Sequence, residues 1–293
     1  MKQIAPNIYV EDGYRGVTVG CIVTDAGAIC IDSPMLPADA RDWRAQIAKH
    51  TDKPVQFVAL TDAHRDRILG VQYLGGAVVA HEAAWDKMKS LGDAFRQQAA
   101  DSVASCGAEA AAEVAADLHI VLPQITFVDT LVLHLGNMPV IIRHVGGATP
   151  GSIWVHLPQS NVLFMGDLLT VNYHPLMVEG DVAAWIKLLD QVQRKDFAAK
   201  VIVPGRGSPA HKAALGPMAA YLNAMRTRVQ ALVRSRKLKA ETAQLVPEFL
   251  ARYPVAEDDR ECVQRRIKVG LDHLYDTLKS KKLNDGRKTN DQR

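Results

Sequence analysis

Phe57-Val58-Ala59-Leu60-Thr61-Asp62-Ala63-His64-Arg65-Asp66-Arg67-Ile68-Leu69-Gly70 is the stretch whose reading decides the fold. Phe57 to Leu60 reads as a short apolar strand. Asp62, His64, Arg65, Asp66 and Arg67 then crowd a polar turn that opens a helix. Ionisable groups packed at the end of a buried strand mark a candidate site, because α/β folds bind ligands beyond their strand ends. The same residues also suit a plain helix start, with Thr61 or Asp62 capping free N–H groups and the charges facing water. Taken alone, the stretch leaves both readings open.

Outward from it, the chain alternates strands and helices. Ile8 to Val10 is a strand. Val17–Val23 and Ala28–Ile31 form a hairpin about Asp25-Ala26-Gly27, which Asp32-Ser33-Pro34 ends. A helix over 38–50 carries Ala40, Trp43, Ile47 and Ala48 at helical spacing. The helix opened near Arg65 is expected to end at Gly75-Gly76, and Ala77–Ala80 is a buried strand. Residues 81–118 are Ala-rich helical cover, interrupted at Gly92 and Gly107. Ile125–Leu135 reads as paired strands, and Val140–His144 as another. After Gly146-Gly147-Ala148-Thr149-Pro150-Gly151-Ser152 come strands at Trp154–Leu157 and Asn161–Met165, the latter ending in Gly166-Asp167. A helix over 181–193 and a strand Val201–Val203 lead to Pro204-Gly205-Arg206-Gly207. Helices over 212–236, 239–251 and 257–280 follow, and the polar residues 281–293 are expected to be disordered.

With 293 residues, 48% hydrophobic and 23% charged, the chain has the composition of a globular protein with a sizeable core. A net charge of +3 is too mild to argue for a nucleic-acid partner. No segment is long and apolar enough to span a membrane, and the first ten residues hold no signal-like apolar run, so the expected location is cytoplasmic. Cys21 and Cys30 fall on neighbouring strands, where a disulfide is geometrically allowed, but nothing else points to an oxidising compartment.

Four blocks in order, Thr61–Gly70, Gly146–Ser152, Gly166-Asp167 and Pro204–Gly207, resemble those of the metallo-β-lactamase-fold superfamily, and Ile31-Asp32-Ser33-Pro34 fits as well. The resemblance implies an α/β fold, an αββα four-layer sandwich over residues 1–210. A helical C-terminal extension over 211–280 would pack on it, with the site at one edge of the sandwich. It also implies one or two metal ions, usually zinc, that activate water. The family motif H-x-H-x-D-H stands here as Asp62-x-His64-x-Asp66-Arg67. By this resemblance the first metal would take Asp62, His64 and Ala148, and Ala148 has no donor atom. The second would take Asp66, Arg67 and Arg206, and arginine cannot ligate. Asp167 matches the bridging aspartate. A guanidinium about 6 Å from a divalent ion, at an effective dielectric of about 20, repels it by roughly 5 kcal/mol.

The sequence therefore supports three expectations. The first is a degenerate site with no cofactor, in which Arg67 and Arg206 pair with the aspartates or bind an anionic small molecule or a partner. The second is a hydrolase with one divalent ion (Mn, Fe or Zn) on Asp62, His64 and Asp167, with His144, His174 or His211 as substitute ligands. The third is metal-free hydrolysis with His64 as general base; Asp66 and His64 are the candidate catalytic residues. The long helical extension is a candidate homodimer interface.

Overall fold

The computed structural model describes residues 1–92 and 94–290, without the side chains of Ser105 and 282–290. Two sheets divide the strands by chain order. The first runs β1 (Lys2–Ala5), β2 (Ile8–Glu11), β3 (Val19–Thr24), β4 (Gly27–Ile31), β5 (Val55–Ala59), β6 (Ala77–His81) and β7 (Ile125–Phe127), each beside the next. The second comprises β8 (Thr130–Leu135), β9 (Met138–His144), β10 (Ile153–Leu157), β11 (Val162–Thr170) and β12 (Val201–Arg206), in the order β12-β11-β10-β9-β8. β4, β5, β6 and β7 are parallel neighbours, as are β11 and β12; the remaining pairs are antiparallel. Nine α-helices flank them among the described residues: α1 (Pro37–Ala48), α2 (Arg65–Ile68), α3 (Glu82–Lys89), α4 (Ala94–Val103), α5 (Ala108–Asp117), α6 (Val182–Gln193), α7 (Leu215–Arg234), α8 (Val246–Leu250) and α9 (Arg260–Asn290).

Side-chain alternation along the strands builds the layers. On β4, Ile29 and Ile31 point into the space between the sheets. They meet Ile142, Val155, Phe164 and Val203 from the second sheet. Ala28 and Cys30 point the other way, onto Trp43 and Ile47 of α1. On the far side, Leu163, Met165 and Ile202 face Trp185 and Leu189 of α6, Met218 and Leu222 of α7, and Leu271 of α9. The result is the expected helix–sheet–sheet–helix sandwich. The C-terminal helices share one continuous core with α6.

Several boundaries differ from those read in the sequence. Ile125–Leu135 does not form paired strands. β7 pairs parallel with β6 in the first sheet, and β8 opens the second. The helix from Arg65 is a single turn, followed by a short 3₁₀ turn over Val71–Tyr73. Between them Gly70 runs so close to Pro34 that an added Cβ would lie 2.1 Å from its carbonyl oxygen. β11 does not end at Gly166-Asp167 but continues to Thr170 with a register shift about Gly166. The expected tail over 281–293 falls partly on α9, described to Asn290, while 291–293 lie outside the described residues. Cys21 and Cys30 stand directly opposite on β3 and β4 as free, buried thiols. No helix of the described residues is long and apolar enough to cross a membrane.

Candidate functional site

Strand ends from both sheets meet at one edge of the sandwich. Thr61 joins the sheets there, its carbonyl accepting the Ile153 N–H at 2.9 Å. Beyond it Asp62 folds back, and its Oδ1 accepts the His64 N–H at 2.8 Å. This Asx turn sets His64 as the residue before α2 and aims its ring across the edge. α2 then places Asp66 toward β12 and Arg67 into the interior. From the other sheet, the irregularity at Gly166 (φ +55°) presents Asp167, while Arg206 closes β12.

These groups form one ion cluster. His64 Nδ1 lies 2.9 Å from Asp167 Oδ2 and 3.1 Å from Asp62 Oδ2. Arg67, with no exposed side-chain surface, reaches three carboxylates. Its Nη1 donates to Asp32 at 3.0 Å, its Nη2 donates to Asp167 Oδ1, and its Nε is 3.2 Å from Asp62 Oδ1. Arg206 Nη2 contacts Asp66 at 2.5 Å and Asp167 Oδ2 at 3.2 Å, and its Nη1 donates to the Gly16 carbonyl at 2.5 Å. The Asp62 contacts to His64 and Arg67 are charge contacts without hydrogen-bond alignment: Asp62 Oδ2, His64 Nε2 and Arg67 Nε have no hydrogen-bond partner.

Electrostatics follow from these distances. Burial alone would neutralise His64, but Asp62 and Asp167 hold its proton and push its pKa up to about 10. Asp167 is also disfavoured as an anion by burial. Arg206, Arg67 and His64 reverse this and hold it well below the usual carboxylate range. Asp62 is lowered in the same way, chiefly by His64 and Arg67 against its burial. Asp32 is the exception: burial pushes it up to about 6, with Arg67 opposing. Arg67 itself is raised, since Asp167, Asp32, Asp62 and Asp66 outweigh the cost of burying it.

Asp62, His64, Asp66, Arg67, Asp167 and Arg206, all singled out in the sequence, are thus brought together. Ala148 is buried in the outer core of the second sheet. The three histidines considered as substitute ligands are engaged elsewhere. His144 stacks on His81 at 3.7 Å and bonds the Pro150 carbonyl, His174 contacts Tyr221, and His211 contacts the Lys200 carbonyl. Asp32 was missed as a site residue. Its signal was available, since an Asp follows a buried strand here just as in the other site segments. It takes positive φ (+58°), accepts from Thr61 N–H and Oγ1 at 2.8 and 2.7 Å, and anchors Arg67 from behind.

Asp62, His64 and Asp167 can each offer one ligand atom, all within 4.8 Å of one another, which suits a single ion by count and spacing. Both Asp167 oxygens are in contact with guanidinium groups, and Arg67 and Arg206 supply no lone pair.

The metallo-beta-lactamase superfamily profile matches residues 12–206. Over 99 residues the chain is 34% identical to "Metallo-beta-lactamase type 2" of Bacteroides fragilis; the match covers 32% of this chain and 40% of the length of that protein. Among solved structures, a metallo-beta-lactamase family protein from Thermus thermophilus superposes with a TM-score of 0.66 at 17% identity, covering 93% of both chains. A stereoselective inverting sec-alkylsulfatase from Pseudomonas sp. gives a TM-score of 0.68 at 18% identity, covering 93% of this chain and 49% of its own. A metallo-beta-lactamase from Pontibacter korlensis gives 0.55 at 21%, covering 76% and 97%. At such identities the structural likenesses speak for the fold alone, whereas the profile spans most of the chain. The chain belongs to the metallo-beta-lactamase superfamily.

Proposed function

We propose that this chain keeps the fold of its family but replaces the metal centre with an internal ion cluster, and that it does not carry out dinuclear zinc hydrolysis. One observation carries the reading: guanidinium groups from two different elements contact one oxygen each of the Asp167 carboxylate. Those are the lone pairs a metal pair would use. Family hydrolysis depends on a cation that lowers the pKa of bound water. Here fixed cations neutralise the same carboxylates and hold the strand ends together instead.

An anion is disfavoured as the ligand at this point. Arg67 is spent on three carboxylates and Arg206 on two carboxylates and a carbonyl. Counting Asp32, Asp62, Asp66 and Asp167 against Arg67, Arg206 and protonated His64, the cluster keeps one surplus negative charge. Nor does His64 serve as a general base near neutral pH, because a group with a pKa near 10 already holds its proton.

A second reading has its own observation. Asp62 Oδ2 and His64 Nε2 are buried without hydrogen-bond partners, and Asp62, His64 and Asp167 converge. One divalent ion there would displace the His64 proton and be repelled by Arg67 and Arg206. Titration calorimetry with Zn²⁺ and Mn²⁺ separates the two. The ion-cluster reading expects no saturable heat at micromolar metal. Saturable one-to-one binding that disappears in Asp62→Asn would replace it with the mononuclear reading.

A further inference from the structure

The sandwich has four sheet edges, and three are protected against pairing with another strand. β1 carries Lys2, paired with Asp12 at 2.7 Å, and is followed by Pro6. β7 is only three residues long. β12 contains Pro204, and Ile202 exchanges two 2.8 Å backbone bonds with Ala210.

β8 has none of these devices. Thr130-Leu131-Val132-Leu133-His134-Leu135 holds no Lys, Arg, Asp, Glu or Pro, and all six residues pair with β9 on one side only. Val132 is 39% exposed, and Val128, just ahead of the strand, is 54% exposed. An edge free of Lys, Arg, Asp, Glu and Pro, with exposed β-branched residues, is a template for strand addition.

We propose that β8 is a dimerisation edge that pairs antiparallel with β8 of a second copy of this chain, joining two five-stranded sheets across a two-fold axis. The second copy is the occupant the strand fits best. Antiparallel pairing of a strand with itself is isologous, and an uncharged strand meets no like-charge repulsion from its own copy. The alternation limits the register. Thr130, Val132 and His134 are exposed on the outer face, while Leu131, Leu133 and Leu135 face the inter-sheet core. A two-fold perpendicular to the sheet keeps both cores on one side only if opposed residues share a face. Centring on Val132 satisfies this: Val132 faces Val132 of the second copy, Thr130 faces its His134, and Leu131 faces its Leu133. This interface is separate from the ion cluster.

Sedimentation velocity on the full chain over a micromolar concentration series tests it, with Val132→Lys and Val132→Thr as variants. The wild type and Val132→Thr dimerise, and Val132→Lys, which sets two ammonium groups face to face, weakens association by about tenfold or more. Thermal melts establish that the lysine variant is folded. In a Cys262→Ser background, Val132→Cys forms an interchain disulfide with oxidised glutathione, and Thr130→Cys, opposed to His134, does not. A wild type that stays monomeric overturns the proposal. So does a dimer indifferent to Val132→Lys, which would place the interface elsewhere, and so does equal cross-linking from position 130.

Discussion

Arg67 has no exposed side-chain surface and touches Asp32, Asp62 and Asp167, so its charge is balanced entirely from within the protein. His64 is the titrating member of the same cluster. Its pKa rises from the ordinary 6.5 to about 10 because Asp62 and Asp167 outweigh burial. A group raised on folding contributes stability that is complete below its unfolded pKa and lost as pH rises through the folded one. The window is therefore about pH 6.5 to 10, and the contribution is at most about 5 kcal/mol. The lowered pKa values of Asp62 and Asp167 act at the other end, where stability is lost as pH falls through their range. The expected outcome is a urea midpoint that falls between pH 7 and pH 10 in the wild type and changes far less in His64→Asn. A wild-type midpoint that is flat across that range would mean His64 is not held as an imidazolium. At this scale the sequence was informative where residues are close along the chain. Asp62, His64, Asp66 and Arg67 fall within one turn and could be read as a unit. Asp32 sits thirty positions earlier on another strand, and only the parallel pairing of β4 with β5 brings it beneath Arg67.

At the scale of elements, the site depends on how closely β11 and β12 approach each other and the cluster. An added Cβ at Gly166 would lie 2.4 Å from Thr61 Oγ1, and one at Gly205 would lie 2.4 Å from Arg67 Nη2 and 2.6 Å from Asp167 Oδ1. Gly205→Ala therefore drives a methyl into the guanidinium–carboxylate contact. It is expected to cost about 2–3 kcal/mol by overpacking. Chemical denaturation measures this; a change below about 0.5 kcal/mol, the size of a neutral surface substitution, would show that the contact is looser than described. The strands were legible from their apolar runs, and the helices α1, α6 and α7 from their periodicity. Strand partnership was not: the apolar pattern of Ile125–Leu135 is the same whether its halves pair together or belong to different sheets. Likewise, nothing in the spacing from Asn161 to Asp167 marks the irregularity at Gly166 that lets β11 continue past the aspartate.

At the scale of the whole molecule, four motif blocks in a fixed order were enough to read the αββα sandwich, because three of them lie at a strand end and the fourth, Gly166-Asp167, at the irregularity within β11. The sequence left the arginines two destinations, the aspartates or an anion, and they meet the aspartates. A motif gives residue types at ligand positions, but whether a guanidinium turns outward to an anion or inward to a carboxylate depends on strands distant in sequence. The C-terminal helices were read as an extension packed on the sandwich; α7 and α9 share one core with α6. The central claim is that fixed cations have taken the place of the metal ions. The measurement that tests it most directly is metal content, by elemental analysis of the full chain purified without chelator or metal-affinity resin, beside an Asp62→Ala, Asp167→Ala variant. Neither protein is expected to carry a stoichiometric transition metal. About one ion per chain in the wild type, lost in the variant, would contradict it and place a working mononuclear centre on Asp62, His64 and Asp167.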